Sequence, residues 1–310
     1  MTKRSGRHET FRRSIKDKGA RSLKSLKQHP AKKREGEIMS IARSPIVTMA
    51  PTTPIYDAVQ IMVKQGFRRI PVADPGTKKL EGIITATDIV DYFGGGDKFQ
   101  IIRQKYAGNF FKAINEPVKT IMTRKIVSIQ TTAKIADAIR LMTENKVGGL
   151  PVVDNEGRIW AIVTERDIVN LLKDKISGVK VKDVMSKDLV TVKPETSIYD
   201  AVKILTTRGF RRLPIASDKK LVGILTVMDI MRYFTVGGVF QNLRSGTITQ
   251  VLQTSIMEIA TKNVITIDPE KDLGYAAKLM QENKIGALVV AEDSNLVGII
   301  TERDFFKTIT

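Results

Sequence analysis

LEGIITATD at 80–88, RIWAIVTERD at 158–167, LVGILTVMD at 221–229 and LVGIITERD at 296–304 are one phrase written four times. Each is an apolar run carrying Gly or Ala, reaches a Thr, and closes on Asp three residues later. A short apolar run between polar boundaries reads as a buried strand. Thr with a following Asp reads as a helix start, since their side-chain oxygens accept backbone N–H groups left unpaired in a first turn. The closing Asp is therefore expected to open a helix.

Working outward, a second strand precedes each phrase: RRIPVAD from Arg68, GGLPVVD from Gly148, RRLPIAS from Arg211 and GALVVAE from Gly286. A polar turn joins the two strands. Upstream again lies a helical period, seen as Ile55, Ala58, Val59 and Met62 in the first copy and Ile135, Ala138, Ile139 and Met142 in the second. Ahead of it stands a short apolar strand, at 46–49, 126–129, 189–192 and 264–267. The unit is strand, helix, strand, strand, helix.

Copies one and three share TPIYDAV/TSIYDAV and GFRRIPV/GFRRLPI, whereas copies two and four share LMTENKVGGL/LMQENKIGAL and TERD. This ABAB order, with Asp57 and Asp200 143 residues apart and Asn145 and Asn283 138 apart, marks a duplicated module of two units. A single unit would expose the apolar face and edges of its small sheet, which a second unit covers. The expected fold is α/β of the α+β kind. Its two modules span 37–176 and 177–310, with units near 38–93, 117–174, 179–235 and 255–310, packed as one disc within a monomer or a weak homo-oligomer.

Apolar residues at 42% and charged residues at 27% suit a globular protein. The apolar runs are strand-sized, short of the roughly 18–20 residues that span a bilayer, and no secretory signal precedes them, so a cytoplasmic protein without membrane attachment is expected. There is no cysteine, and the two histidines, His8 and His29, lie ahead of the repeats. Thiol nucleophiles, zinc knuckles and the usual proton shuttle are thus missing from the repeats, and neither catalysis, a metal nor a catalytic cofactor is expected. The net charge of +18 is uneven, because residues 1–36 hold 13 Lys and Arg against Glu9, Asp17 and Glu35. That segment reads as a basic flexible tail with non-specific nucleic-acid affinity.

The residues with chemistry to offer sit at the strand ends: Thr85, Thr87 and Asp88; Thr164 and Asp167; Thr226 and Asp229; Thr301 and Asp304. A carboxylate there can accept paired hydrogen bonds from adjacent ribose hydroxyls, while the Thr hydroxyl and nearby helix N–H groups suit a phosphate. Any one copy is equally an ordinary cap, worth about 0.5–2 kcal/mol. Four copies at the same place favour a ligand, and the two roles are compatible. The pairs Arg68-Arg69 and Arg211-Arg212 can fork phosphate oxygens, and Gly148 and Gly286 at the matching positions of the other copies admit close backbone approach. Met62, Met142, Met280 and Trp160 read as packing, and Gly94 to Gly96 lack the Lys-Ser/Thr of a phosphate loop.

Taken together, the apolar first strand, the GxxPVVD-type second strand and the GIxTxxD ending resemble the cystathionine-β-synthase (CBS) domain over residues 38–310, and each pair resembles a Bateman module. Four repeats in one chain make it similar to the γ subunit of AMP-activated protein kinase and to archaeal adenine-nucleotide-binding CBS proteins. The resemblance implies AMP, ADP or ATP bound in clefts between paired repeats, with S-adenosylmethionine as an alternative ligand, and regulation of a partner protein without catalysis. It assigns ribose to Asp88, Asp167, Asp229 and Asp304 and phosphate to the paired arginines. The sequence departs from the family in placing Arg166, Met228 and Arg303 directly before three of these Asp residues, where only the first repeat has a hydroxyl. Other readings are a nucleic-acid-binding protein acting through the tail and a scaffold with empty clefts.

Overall fold

The computed structural model describes residues 36–308 apart from 175, 177, 219, 236–247 and 294. The tail reading thus lies outside the described residues, except at Gly36. The strands in chain order are β1 (Arg69–Ala73), β2 (Leu80–Thr85), β3 (Ile129–Gln130), β4 (Gly149–Val153), β5 (Ile159–Thr164), β6 (Arg212–Ser217), β7 (Lys220–Thr226), β8 (Thr266–Ile267), β9 (Ala287–Glu292) and β10 (Asn295–Thr301). The main helices are α1 (Ile55–Gln65), α2 (Ala86–Gly94), α3 (Phe99–Tyr106), α4 (Phe110–Ala113), α5 (Ile135–Glu144), α6 (Glu165–Leu172), α7 (Ile198–Arg208), α8 (Val227–Thr235) and α9 (Leu273–Glu282), and the fourth repeat ends in a 3-10 segment, Glu302–Thr308.

In every repeat the second and third strands pair antiparallel, β1 with β2, β4 with β5, β6 with β7 and β9 with β10. The first strand is much shorter than its apolar run. It pairs in parallel only at Met49 with Val72, over β3, at Val192 with Ile215, and over β8. In the odd repeats the preceding apolar residues, Ile46-Val47 and Leu189-Val190, line open clefts, which explains why hydrophobicity extends beyond the ladder.

Edges join the repeats of one module. Lys79 bridges Arg158 in the first, and Lys220 bridges Asn295 in the second, where β6-β7-β10-β9-β8 becomes one sheet. The repeats are also interlocked by their leading turns. Ile38 sits in the core of repeat two, with Gly36 N–H donating to Thr131 O at 2.8 Å, while Val118, Ile121 and Met122 pack into repeat one. Val181 and Val184 likewise serve repeat four, and Ile256 serves repeat three. Each lead-in thus covers the neighbouring repeat of its module. Gly82 and Gly298 make room for this exchange: a Cβ there would lie 2.4 Å from Met122 Sδ and 2.6 Å from Met185 Sδ, respectively.

Helices join the modules. α2 packs on α7 and α8 and α1 packs on α8, linking repeats one and three, while α6 packs on α9 and on Glu302–Thr308, linking repeats two and four. Two edge contacts and two helix contacts close the four repeats into a ring. Phe93, Phe110 and Phe234 meet at centroid separations of 5.0, 5.7 and 6.1 Å, so aromatic packing crosses from one module to the other. At the same seam a Cβ on Gly94 would come 2.6 Å from Val202 Cγ2. Overpacking of this kind costs about 1–3 kcal/mol, so Gly94→Val is expected to lower stability by that amount in denaturant unfolding, with the loss shared by both modules.

Candidate functional site

The helix starts are built as caps. Thr85 and Thr164 are N-caps, and Asp88 and Asp167 stand at the third helical position, so the Asp lies one turn inside rather than opening the helix. In all four repeats one oxygen, Asp Oδ2, accepts from the Thr backbone N–H and hydroxyl at 2.6–2.9 Å. The other oxygen faces a cation. Lys98 donates to Asp88 Oδ1, Arg43 Nε to Asp167 Oδ1 at 2.7 Å and Lys307 Nζ to Asp304 Oδ1 at 2.8 Å, while Arg232 Nη1 lies 3.3 Å from Asp229 Oδ1. The capping oxygen is committed to the fold, which leaves Oδ1 as the atom a ligand hydroxyl can reach.

Two clefts open at corresponding places of the two modules. That of the first, about 200 Å³, is formed by Ile46-Val47 and Phe67-Arg68-Arg69 of repeat one with Ile162, Thr164 and Arg166 of repeat two. That of the second, about 270 Å³, uses the matching Leu189-Val190, Phe210-Arg211-Arg212, Ile299, Thr301 and Arg303. The sequence duplication thus reappears as a duplicated cavity. Thr85, Thr87, Asp88, Thr226 and Asp229 lie at the odd-repeat strand ends, outside these two clefts, and Gly148, Asp167 and Asp304 are not among the lining residues either, although Asp167 and Asp304 directly follow Arg166 and Arg303, which are.

Where the second cleft reaches Arg68 and Glu165 of the first module, the arginines meet two buried glutamates, both of which line it. Glu302 accepts from Arg68 Nη2 at 2.9 Å and Arg166 Nε at 2.7 Å, and Glu165 accepts from Arg211 Nη1 at 3.2 Å and Arg303 Nε at 2.8 Å. Arg303 also reaches Lys146 O at 3.0 Å and Arg166 reaches Lys284 O at 3.4 Å. Both lysines have positive φ at the helix end, which turns these carbonyls inward and gives the shared ENK phrase its geometric meaning. Burial would raise the Glu302 carboxyl, but Arg68 and Arg166 outweigh it and hold the group at about 2.

The remaining two arginines are differently placed. Arg69 Nη1 donates to Gly148 O at 2.6 Å, whereas the Arg212 side chain has no hydrogen bond or contact ion pair with any other described residue. Burial first, then repulsion from Arg211 and Arg68, pushes Arg69 down to about 9, and burial followed by Arg68 and Arg211 pushes Arg212 down to about 10. Six guanidinium groups thus converge on two carboxylates, leaving positive charge that an anion would relieve. A Cβ on Gly149 would lie 2.4 Å from Arg69 Nη1, and repeat four carries Ala287 at the corresponding position. Gly148 and Gly286 serve the same centre: a Cβ on the first would meet Glu165 Oε2 at 2.6 Å and Arg211 Nη2 at 2.7 Å, and one on the second would meet Glu302 Oε2 at 2.8 Å. The glycines thus leave room for the ion pairs, and Gly286 also lines the second cleft.

Sequence reasoning overlooked Glu165, Glu302 and Arg43 and took Arg166 and Arg303 only as departures. The repeated TERD carried the signal: a Glu and an Arg at the start of both even-repeat helices, where a reciprocal exchange across a pseudo-twofold pairs them. Among the described residues no group of three His, Cys, Asp or Glu side chains gathers to hold a metal, and no helix is long and apolar enough to cross a membrane.

Comparison with known proteins agrees with this architecture. The CBS-domain family model matches residues 36–95, 118–174, 181–236 and 256–310. The chain is 38% identical to protein MJ1225 of Methanocaldococcus jannaschii over 273 residues, covering 87% of this chain and 98% of that protein. The crystal structure of MJ1225, described as a proposed archaeal homologue of γ-AMPK, superposes with a TM-score of 0.86 at 36% identity, over 88% of this chain and 100% of that one. A 33.4 kDa protein in the ribosomal RNA operon of Thermofilum pendens is 31% identical over 86% of this chain and 89% of its own length. A Pyrococcus horikoshii protein at 21% identity, covering 88% of this chain and 99% of its own, shares the fold with a TM-score of 0.57. With four matched repeats and a similar four-repeat relative along nearly its whole length, the chain belongs to the CBS-domain family.

Proposed function

We propose that this protein is a non-catalytic regulator that binds adenine nucleotides in the two clefts, phosphate toward the central arginines and ribose toward Asp167 or Asp304. The observation that carries the reading is the arginine excess at the cleft floors, above all Arg212, whose donors no described residue takes. A fixed guanidinium near a low-dielectric wall gains most from a phosphate, which accepts in its fork geometry. Each cleft has apolar walls for a base, Ile46-Val47 with Phe67 or Leu189-Val190 with Phe210. The proposed relation of MJ1225 to γ-AMPK supports a sensing role. Occupancy would reset the Arg–Glu pairs that tie all four repeats together, giving a partner protein a surface that reports ligand state.

Isothermal titration with AMP, ATP, adenosine and S-adenosylmethionine tests this. AMP and ATP are expected to bind at least 10-fold tighter than adenosine, a ratio set by charge-assisted contacts of about 1.5–3 kcal/mol. Binding is expected to survive removal of residues 1–36, which separates it from nucleic-acid affinity borne by the tail. Equal affinity for AMP and adenosine, or tighter S-adenosylmethionine, would transfer the clefts to a phosphate-free ligand.

A further inference from the structure

The two clefts are equivalent in backbone and unequal in charge. Arg43 bridges Ile162 and Ser186 bridges Ile299, so these residues occupy the same station on the third strand of the even repeat. Two residues further on, Pro45 faces Asp188 across the duplication, and all four line their clefts. The first-module cleft is lined by Arg43, Arg68, Arg69 and Arg166 with no acid. In the second-module cleft five cations stand against Glu165, Asp188 and Glu302. The excess is thus four positive charges in one and two in the other, and the more positive cleft is the smaller.

Arg43 makes the difference functional. Its side chain is half exposed, at 54%, and its Nε holds Asp167 Oδ1, the carboxylate oxygen the cap leaves over. In the second module Asp304 is held instead by Lys307, neither of which lines the cleft, and Ser186 brings no charge to the place Arg43 occupies in the first. A ligand entering the first module must share Asp167 with Arg43 and, having done so, has an additional guanidinium at the mouth. Four guanidinium groups with no acid among the lining residues favour the more highly charged ligand, and a net excess of two favours a less charged one. We infer that the two clefts select nucleotides of different charge, the first module a di- or triphosphate and the second a monophosphate, with Arg43/Ser186 and Pro45/Asp188 as the determinants.

This rests on the nucleotide reading above, and titration of the full chain separates the two. Asp304→Asn and Asp167→Asn keep the cap acceptor and remove the second carboxylate oxygen, silencing one cleft at a time. With Asp304→Asn the remaining first-module cleft is expected to bind ATP at least 10-fold tighter than AMP. With Asp167→Asn the remaining cleft is expected to bind AMP as tightly as ATP or tighter. Adding Arg43→Ser to the first chain should weaken ATP about 10-fold and leave AMP within about threefold. Ser186→Arg in the second chain should tighten ATP, a gain that misfolding cannot mimic. An ATP/AMP ratio that is the same in both backgrounds, or unmoved by either exchange, overturns this inference and leaves nucleotide binding standing. Failure of the unmodified chain to bind either nucleotide overturns both.

Discussion

Replacement of Glu302 by Ala is expected to destabilise the protein by about 3–5 kcal/mol, the cost of removing one partner of a buried ion pair. Glu302 is 3% exposed and its two oxygens are each bound by an arginine, so the substitution strands Arg68 and Arg166 beside four further guanidinium groups. The loss should appear as a lowered denaturation midpoint with an unchanged slope, and Glu302→Gln should recover a fraction of it by keeping shape without charge. The carboxyl also fixes the acid limb. Its folded value of about 2 lies below the ordinary 4.5, so its contribution is fully present above about pH 4.5 and disappears as pH falls toward 2. That contribution is on the order of 3 kcal/mol. Stability measured between pH 6 and pH 3 should fall less steeply in Glu302→Gln than in the unmodified chain; identical profiles would show that this pair does not govern the acid response.

The second large effect is on binding. Replacing Arg69 and Arg212 together by Met is expected to weaken AMP by roughly 10- to 150-fold at each cleft, while adenosine is unaffected. Arg212 should account for more of this than Arg69, since Arg69 already spends one donor on Gly148 O at 2.6 Å and Arg212 spends none on a described residue. Burial and mutual repulsion make both charges costly without an anion, so the unliganded double variant should melt no lower than the unmodified protein although nucleotide stabilises it less. Calorimetry that finds AMP and adenosine both unchanged would place the phosphate away from these arginines.

Undiminished stability with weaker binding would be the signature of a site maintained against the interest of the fold. The same opposition explains how the sequence presents the site. The Thr-x-x-Asp phrase is legible because capping makes a local demand, satisfied within four residues wherever it stands. Arg68-Arg69 and Arg211-Arg212 are legible as cations, but their partners, 234 and 46 residues away for Arg68–Glu302 and Arg211–Glu165, obey no spacing rule. Arg43 is less visible still, a cation in a lead-in segment whose ion pair with Asp167 depends on lying beside β5.

The repeats, their strand and helix order and their pairing into modules were determined by the sequence alone, because hydrophobic period and cap chemistry act over a few residues and recur four times. Tertiary structure decided which repeat each lead-in covers, how repeats one with three and two with four close the ring, and that Glu165 and Glu302 come up beside Gly148 and Gly286. These outcomes depend on surfaces and charges brought together from distant parts of the chain, and such energies exist only once the modules are packed.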